Sequence, residues 1–202
     1  MERRFKLLSY VLSPVVFPIV GTILYFIFLP SFVPKKQVYL ILIVVFGATY
    51  LLPILLLSIF KKSNLIKNFF LNSVEERKFP VVVFIGIALS LGNLLAKSDP
   101  VAGLSVLFYG YTFALACTYL LLLLNFKISL HAVAIAGLTA FMVCLSHYYS
   151  LNLLVLIGLL ICVGGLMLSA RLYLKTHSMK EVLLGYIIGV VGQFMTYLFY
   201  SM

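Results

Sequence analysis

Seven apolar runs, each about as long as one membrane crossing, occupy almost all of this sequence. A hydrocarbon core about 30 Å thick requires roughly 20 apolar residues in a helix, and only helices and closed barrels satisfy their own backbone hydrogen bonds there. The sequence therefore predicts an all-α, polytopic transmembrane helical bundle of about six to seven spans. The spans are expected near residues 10–30, 38–60, 80–97, 101–124, 128–148, 151–170 and 181–201.

Few residues remain outside these runs, because 64% of the chain is hydrophobic and only 10% is charged. We therefore expect one integral-membrane domain over residues 1–202, with no soluble module. The first run is too long for the apolar part of a signal peptide and lacks a small-residue cleavage site, so it is interpreted as a retained helix. Cys117, Cys144 and Cys162 lie singly inside the runs, which indicates apolar packing and implies no disulfide framework, metal site or cofactor.

The longest polar stretch separates the second and third runs, at residues 61–79. Its middle, residues 65–74, alternates apolar and polar residues and favours a short helix lying in the membrane interface. The net charge of +10 is interpreted as a sign of membrane topology and of contact with anionic phosphates. Nucleic acid is therefore not an expected partner.

Lysine and arginine are distributed unequally between the two ends of the predicted bundle: one end carries 12 of the 15, and the other carries 3. The end that carries 12, which we call the basic end, is predicted to face the cytoplasm, because positive residues accumulate in cytoplasmic loops. The basic end contains Arg3, Arg4, Lys6, Lys61, Lys62, Lys67, Arg77, Lys78, Lys127, Arg171, Lys175 and Lys180, and the opposite end contains Lys35, Lys36 and Lys97.

Three polar clusters interrupt the apolar sequence, at residues 75–80, 127–131 and 171–181. Two membrane crossings separate each cluster from the next, so all three are predicted to meet at the basic end. Ionisable groups are costly beside lipid and mark a functional site by default. The convergence of three such clusters predicts a site more strongly than any one of them.

The third cluster places His177 and Glu181 four residues apart, on one face of a helix. A carboxylate bound to one imidazole nitrogen leaves the other nitrogen with a free lone pair, which can attack phosphorus, take a proton or bind a metal. The neighbouring basic clusters favour phosphate, because arginine pairs well with phosphate oxygens. His131 can protonate a leaving oxygen, and Ser129 with nearby backbone N–H groups can hold another oxygen.

The residues of these three clusters resemble the motifs of the type 2 phosphatidic acid phosphatase superfamily of membrane lipid phosphatases. That family carries the motifs Lys-x6-Arg-Pro, Pro-Ser-Gly-His and Ser-Arg-x5-His-x3-Asp. Arg171, His177 and Glu181 match the spacing of the third motif, and Gly185 and Gly189 follow at the family's positions. The resemblance therefore fixes the register of the third cluster.

The other two motifs are matched less completely. Ser129-Leu130-His131 matches the last three positions of the second motif in part. Arg77 and Lys78 are the residues nearest to the first motif. The departures are Glu181 in place of Asp, Leu130 in place of Gly, Ile128 in place of Pro, Ala170 in place of Ser and Phe70 in place of Lys.

The resemblance covers about residues 75–190 and implies an acid-phosphatase-like core. It implies that His177 is the nucleophile, oriented by Glu181, and that it forms a phosphohistidine without a metal, with His131 as the general acid. It implies that phosphate is bound by Arg171, Ser129 and either Arg77 or Lys78, and Lys127 in the second cluster is a further candidate phosphate ligand.

The expected function is therefore that of an integral-membrane lipid phosphatase, a hydrolase of a lipid phosphomonoester or pyrophosphate. Phosphatidylglycerophosphate, phosphatidate and polyprenyl phosphates are the expected kinds of substrate, and membrane lipids are the other expected partners. The altered motifs leave an alternative, a catalytically degenerate protein that binds or transports a lipid phosphate. The expected location is a bacterial inner membrane. Charge bias favours a cytoplasmic site and family precedent a periplasmic one, and the oligomeric state is left open.

Overall fold

A computed structural model describes residues 2–62 and 73–201 of the chain. Within these ranges the chain folds into α-helices joined by short turns, in agreement with the predicted fold class. In chain order the helices are α1 (Glu2–Val11), α2 (Phe17–Phe28), α3 (Lys35–Phe46), α4 (Leu52–Lys62), α5 (Val74–Ala96), α6 (Ser105–Leu123), α7 (Leu130–Tyr148), α8 (Leu154–Tyr173) and α9 (Met179–Ser201).

Seven segments of the described chain are long and apolar enough to cross a membrane, which confirms the predicted transmembrane bundle. The first two crossings consist of two helices each, α1 with α2 and α3 with α4. The segments are Phe5–Phe28, Lys35–Lys62, Val74–Ala96, Ala102–Leu123, Leu130–Tyr148, Leu154–Tyr173 and Met179–Tyr200.

Prolines mark the two interrupted crossings. Ser13 is extended, and Pro14 begins a 3₁₀ turn, Pro14–Val16, that leads into α2. Proline lacks an N–H and disfavours a helical conformation in the residue before it, so α1 cannot continue into α2. The break lets α1 pack on α8, whereas α2 packs on α3 and α7. In the second crossing a π-helical turn, Gly47–Leu51, precedes α4, in which Pro53 is the second residue.

Helix α5 begins at Val74, before the start of the apolar run predicted at 80–97. The cause is a capping box: the Glu76 N–H donates to Ser73 Oγ at 3.2 Å, and the Ser73 N–H donates to Glu76 Oε2 at 3.4 Å. Arg77 consequently lies on a helix rather than in a loop. The interfacial helix predicted at 65–74 falls almost wholly outside the described residues.

Helix α7 lies at the centre of the bundle and is packed by α9, α6, α8 and α2. The approach of α9 depends on glycines, because a Cβ on Gly189 would overlap the Val133 carbonyl oxygen, and a Cβ on Gly185 would lie 2.8 Å from the Ser129 carbonyl oxygen. Small residues permit such close helix contact in membranes. The beginning of α9 is thereby held against the beginning of α7.

Candidate active site

The three polar clusters lie together at the basic end of the bundle, as the span count predicted. Arg77 Nη1 donates to the Ile128 carbonyl oxygen at 3.0 Å, which joins α5 to the segment before α7. Lys127 Nζ donates to the Thr176 carbonyl oxygen at 3.2 Å. The Ser129 N–H donates to the Glu181 carbonyl oxygen at 3.3 Å. These bonds fix the geometry between segments that are far apart in the sequence.

The turn between α8 and α9 positions the histidine of the third cluster. Thr176 donates to the Arg171 carbonyl oxygen through its N–H at 3.2 Å and its hydroxyl at 3.0 Å. Lys175 before it is in the left-handed region, at φ 51°, which reverses the chain after α8. Ser178 accepts from the Glu181 N–H at 3.4 Å and supports the first turn of α9. His177 is thus held between two helix ends.

Three cations form a group around this turn: Arg77, Lys127 and Arg171, which interact electrostatically with one another. Two carboxylates oppose them, Glu181 and the Glu76 of the capping box. Partial burial lowers the pKa of Lys127, and the charge of Arg77 lowers it further, whereas Glu181 raises it. The cations therefore exceed the carboxylates in a partly buried setting, where an added anion would be stabilised.

His177 is buried, with its side chain 1% exposed, and its Nδ1 lies 2.5 Å from Glu181 Oε2. Burial lowers the pKa of His177 to about 3, and the three cations act in the same direction. The ring is therefore neutral at physiological pH. A neutral ring that donates its Nδ1–H to the Glu181 carboxylate keeps the lone pair on Nε2, as a nucleophile or a base requires.

Three buried polar atoms at this end have no hydrogen-bond partner within the described part of the chain: Ser9 Oγ, Ser129 Oγ and Arg171 Nε. Ser129 precedes the first residue of α7, yet its hydroxyl makes no capping bond. A buried donor without a partner costs about 1–3 kcal/mol. Ser129 and Arg171 therefore have unsatisfied polar atoms at positions where the sequence predicts phosphate ligands.

The sequence left the first-cluster ligand open between Arg77 and Lys78. The structure turns the Arg77 guanidinium into the bundle, where the residue is 6% exposed. Lys78 instead forms an ion pair with Glu75 at 2.6 Å, on the outer surface of α5. Arg77 is thus part of the site geometry, and Lys78 is not brought into it.

His131, on the first turn of α7, lies near the same group and interacts electrostatically with Arg171, His177 and Arg77. Its Nε2 lies 3.3 Å from the Ser9 carbonyl oxygen of α1. A ring that donates from Nε2 to this oxygen has Nδ1 left for another partner. Helix α1 is docked beside it, because the rings of Phe5 and Tyr173 are 4.8 Å apart.

Ser9 and Thr176 are the two contributors that the sequence analysis missed. Thr176 carried a weak signal, since it is the polar residue directly before His177 within the third motif. Ser9 carried none, because it lies just before the first predicted apolar run and outside the three polar clusters, and its carbonyl oxygen contacts His131 only in the folded bundle. Both act mainly through their carbonyl oxygens, which every residue possesses, so side-chain patterns do not reveal them.

Among the described residues no group of three or more His, Cys, Asp or Glu side chains is arranged to hold a metal ion. No family model, no curated protein and no solved structure matches the chain. The site combines a neutral imidazole with an excess of cations and with buried polar atoms that have no partner among the described residues.

Proposed function

We propose that this chain is an integral-membrane lipid phosphatase that works through a phosphohistidine, as its resemblance to the type 2 phosphatidic acid phosphatases implies. The observation that carries the proposal is the buried pair of His177 and Glu181 beside three cations. The pair supplies a neutral nucleophile, and the cations supply the charge that a phosphoryl group requires. The position at the ends of the spans suits a lipid headgroup, which lies at the membrane surface.

In the first step, Arg77, Arg171 and the Ser129 hydroxyl bind the phosphate oxygens. The Nε2 lone pair of His177 attacks phosphorus, and the bond from phosphorus to the lipid oxygen breaks. The leaving oxygen takes a proton from His131. Charge that spreads over the phosphoryl oxygens in the transition state is stabilised by the cations.

The bound phosphate also gives His131 its proton-donating form. An anion at the cation group supplies the negative charge that favours an imidazolium. A doubly protonated ring donates from Nε2 to the Ser9 carbonyl oxygen and from Nδ1 to the leaving oxygen. In the second step, His131 takes a proton from water as the water attacks phosphohistidine, and inorganic phosphate leaves with His177 restored.

We further propose that the site faces the cytoplasm of a bacterial inner membrane, because the basic end carries 12 of the 15 Lys and Arg residues. A cytoplasmic site suits a biosynthetic dephosphorylation. Lys175→Cys in a cysteine-free background tests this, since Lys175 is exposed in the turn after α8. An impermeant thiol reagent should leave it unlabelled in intact cells and label it after lysis. Strong labelling in intact cells would reverse the orientation.

The activity is tested with purified protein and a panel of phosphatidate, phosphatidylglycerophosphate, polyprenyl phosphate and polyprenyl pyrophosphate. Wild type should release inorganic phosphate from at least one of them, and quenched reactions with radiolabelled substrate should carry acid-labile label on His177. His177→Ala should lose both signals. His147→Ala is the matched control, because His147 lies at the opposite end of α7, and it should keep both.

Equal phosphate release by wild type and His177→Ala would contradict the proposed role of His177 as the nucleophile. The second candidate function is a lipid-phosphate binding or transport protein, and one contact favours it: the Ser9 carbonyl oxygen already occupies His131 Nε2. Saturable binding of a lipid phosphate by wild type, without any release of inorganic phosphate, would decide for that function.

A further inference from the structure

An apolar slot lies between α3 and α5, at the end of the bundle opposite the candidate active site. Its walls are two stripes spaced at one-turn intervals, one from Gln37 to Val45 on α3 and one from Leu91 to Ser98 at the end of α5 and in the turn that follows. The cavity between them measures about 160 Å³. Side chains with this spacing interdigitate when two helices pack against each other. Here the cavity separates the two stripes.

The slot is deep enough to have a floor and a rim. Val45, Leu91 and Leu95 form the floor and are at most 5% exposed, whereas Leu40 and Leu94 on the rim are 61% and 54% exposed. Each helix has its main packing elsewhere, α3 on α2 and α5 on α6. An apolar cavity that opens toward the hydrocarbon core loses dispersion energy if it stays empty, so a flexible acyl chain is its natural occupant.

One end of the slot is polar, because α3 starts and α5 ends at the same membrane surface. Gln37 and Ser98 line the cavity at that end. The exposed lysines beside them, Lys35, Lys36 and Lys97, are all the lysine and arginine residues that the sequence places at this surface. Asp99 lies in the same turn and acts on Tyr200 of α9, on another side of the bundle.

We propose that the slot binds an anionic phospholipid, with one acyl chain between α3 and α5 and its phosphate held by Lys35, Lys36 and Lys97. The apolar walls of the slot suit a hydrocarbon chain, and the cationic end suits the charge of the headgroup. This site is independent of the proposed phosphatase, because it lies at the other membrane surface. The lipid it holds is a bound partner and is not the substrate.

The absence of tryptophan from the chain makes the test direct. Leu94→Trp on one rim, or Leu40→Trp on the other, is reconstituted in phosphatidylcholine vesicles that contain either brominated phosphatidylglycerol or brominated phosphatidylcholine. Half-maximal quenching should need about fivefold less of the anionic lipid, since one lysine near a membrane surface contributes about that factor. Replacing all three lysines in the same chain, with Lys35→Gln, Lys36→Gln and Lys97→Gln, should abolish the difference.

Leu159→Trp on α8 is the matched control, because Leu159 is 59% exposed and lies near the same membrane surface. The two brominated lipids should quench it equally. An anionic preference at Leu159 as large as at Leu94 would reduce the effect to general attraction by a basic chain and overturn the proposal. So would a preference that survives loss of the lysines. Weak quenching by both lipids at both rim positions would mean that a second copy of the chain fills the slot.

Discussion

The two ends of the bundle each hold a histidine that is hydrogen-bonded to a side chain of α9, but only one of these histidines is buried among cations. At the basic end His177 is buried, bonded to a carboxylate and surrounded by cations. At the opposite end His147 is exposed, and its Nδ1 lies 2.9 Å from the Tyr197 hydroxyl. The environment, and not the residue type, determines what an imidazole can do.

The surroundings of His147 are those of a residue at the membrane interface. The Tyr197 ring meets the imidazole edge-on, with centroids 6.1 Å apart, and Tyr148 and Tyr149 stack edge-on at 4.9 Å. Tyrosine collects at membrane interfaces because its ring is apolar and its hydroxyl is polar. The cavity beside these rings is about 30 Å³, which is far smaller than a lipid headgroup site requires. The comparison therefore predicts that substitutions lower activity strongly at the basic end and change it little at the opposite end.

The largest effect is expected from removing a cation at the basic end. Arg171→Ala should lower kcat/KM for a lipid phosphate by about a hundred- to thousandfold, because it removes a buried donor from the phosphoryl oxygens. Lys97→Ala at the opposite end should change it less than about twofold, since exposed charges far from the reacting atoms contribute little. Both are measured as initial rates of phosphate release. Similar losses in the two variants would mean that general charge, and not the site, governs activity.

The next effect concerns the partner of each histidine. Glu181→Gln should lower kcat by about a hundredfold, because an amide no longer fixes the tautomer that leaves the His177 Nε2 lone pair free. Glu181→Asp should keep more activity, since it preserves the carboxylate. Tyr197→Phe removes the corresponding partner of His147 and should leave kcat unchanged. A Glu181→Gln variant with wild-type kcat would remove the carboxylate from the mechanism.

A smaller effect is expected from the close contact of α9 with α7. In Gly185→Ala the new Cβ would lie 2.8 Å from the Ser129 carbonyl oxygen, which should displace the start of α9 and lower activity about tenfold. Its thermal midpoint in detergent should also fall. Gly158→Ala on α8 is the control, because a Cβ there meets nothing within 4 Å. Wild-type activity in Gly185→Ala would show that the spacing of the two helices is not critical.

The sequence predicted the crossings and the meeting of the clusters because both follow from local composition and from the alternation of spans. It missed the start of α5, because a search for apolar runs excludes Glu75 to Lys78, whereas the Ser73 capping box brings them into the helix. That shift decides between Arg77 and Lys78, since adjacent helical residues point about 100° apart. The contact of His131 with Ser9 joins residues 122 positions apart and leaves no local pattern. Long-range backbone contacts of this kind require the folded chain.

The smallest change is expected with pH, and it tests whether His177 differs from an ordinary imidazole. Burial and the three cations disfavour the imidazolium and lower its pKa to about 3, so His177 should stay neutral from pH 7 to pH 5. An ordinary histidine, with a pKa of about 6.5, is mostly protonated at pH 5. Nitrogen-15 spectra of histidine-labelled protein, assigned by difference from His177→Gln, should show less than about a twofold change in the neutral fraction.

The lowered pKa of His177 also makes stability depend on pH. Between the two pKa values the unfolded chain binds a proton at His177, whereas the folded chain does not. The folded state therefore loses stability as the pH falls from about 6.5 toward 3. The midpoint temperature of thermal unfolding should therefore fall more in wild type than in His177→Gln between pH 7 and pH 5. Glutamine takes up no proton in either the folded or the unfolded state. If the midpoint fell equally in the two proteins and the His177 signal titrated near pH 6.5, the His177 ring would ionise like that of any solvated histidine. The contrast between a buried, cation-flanked imidazole and an exposed interfacial one would then no longer explain a difference in function.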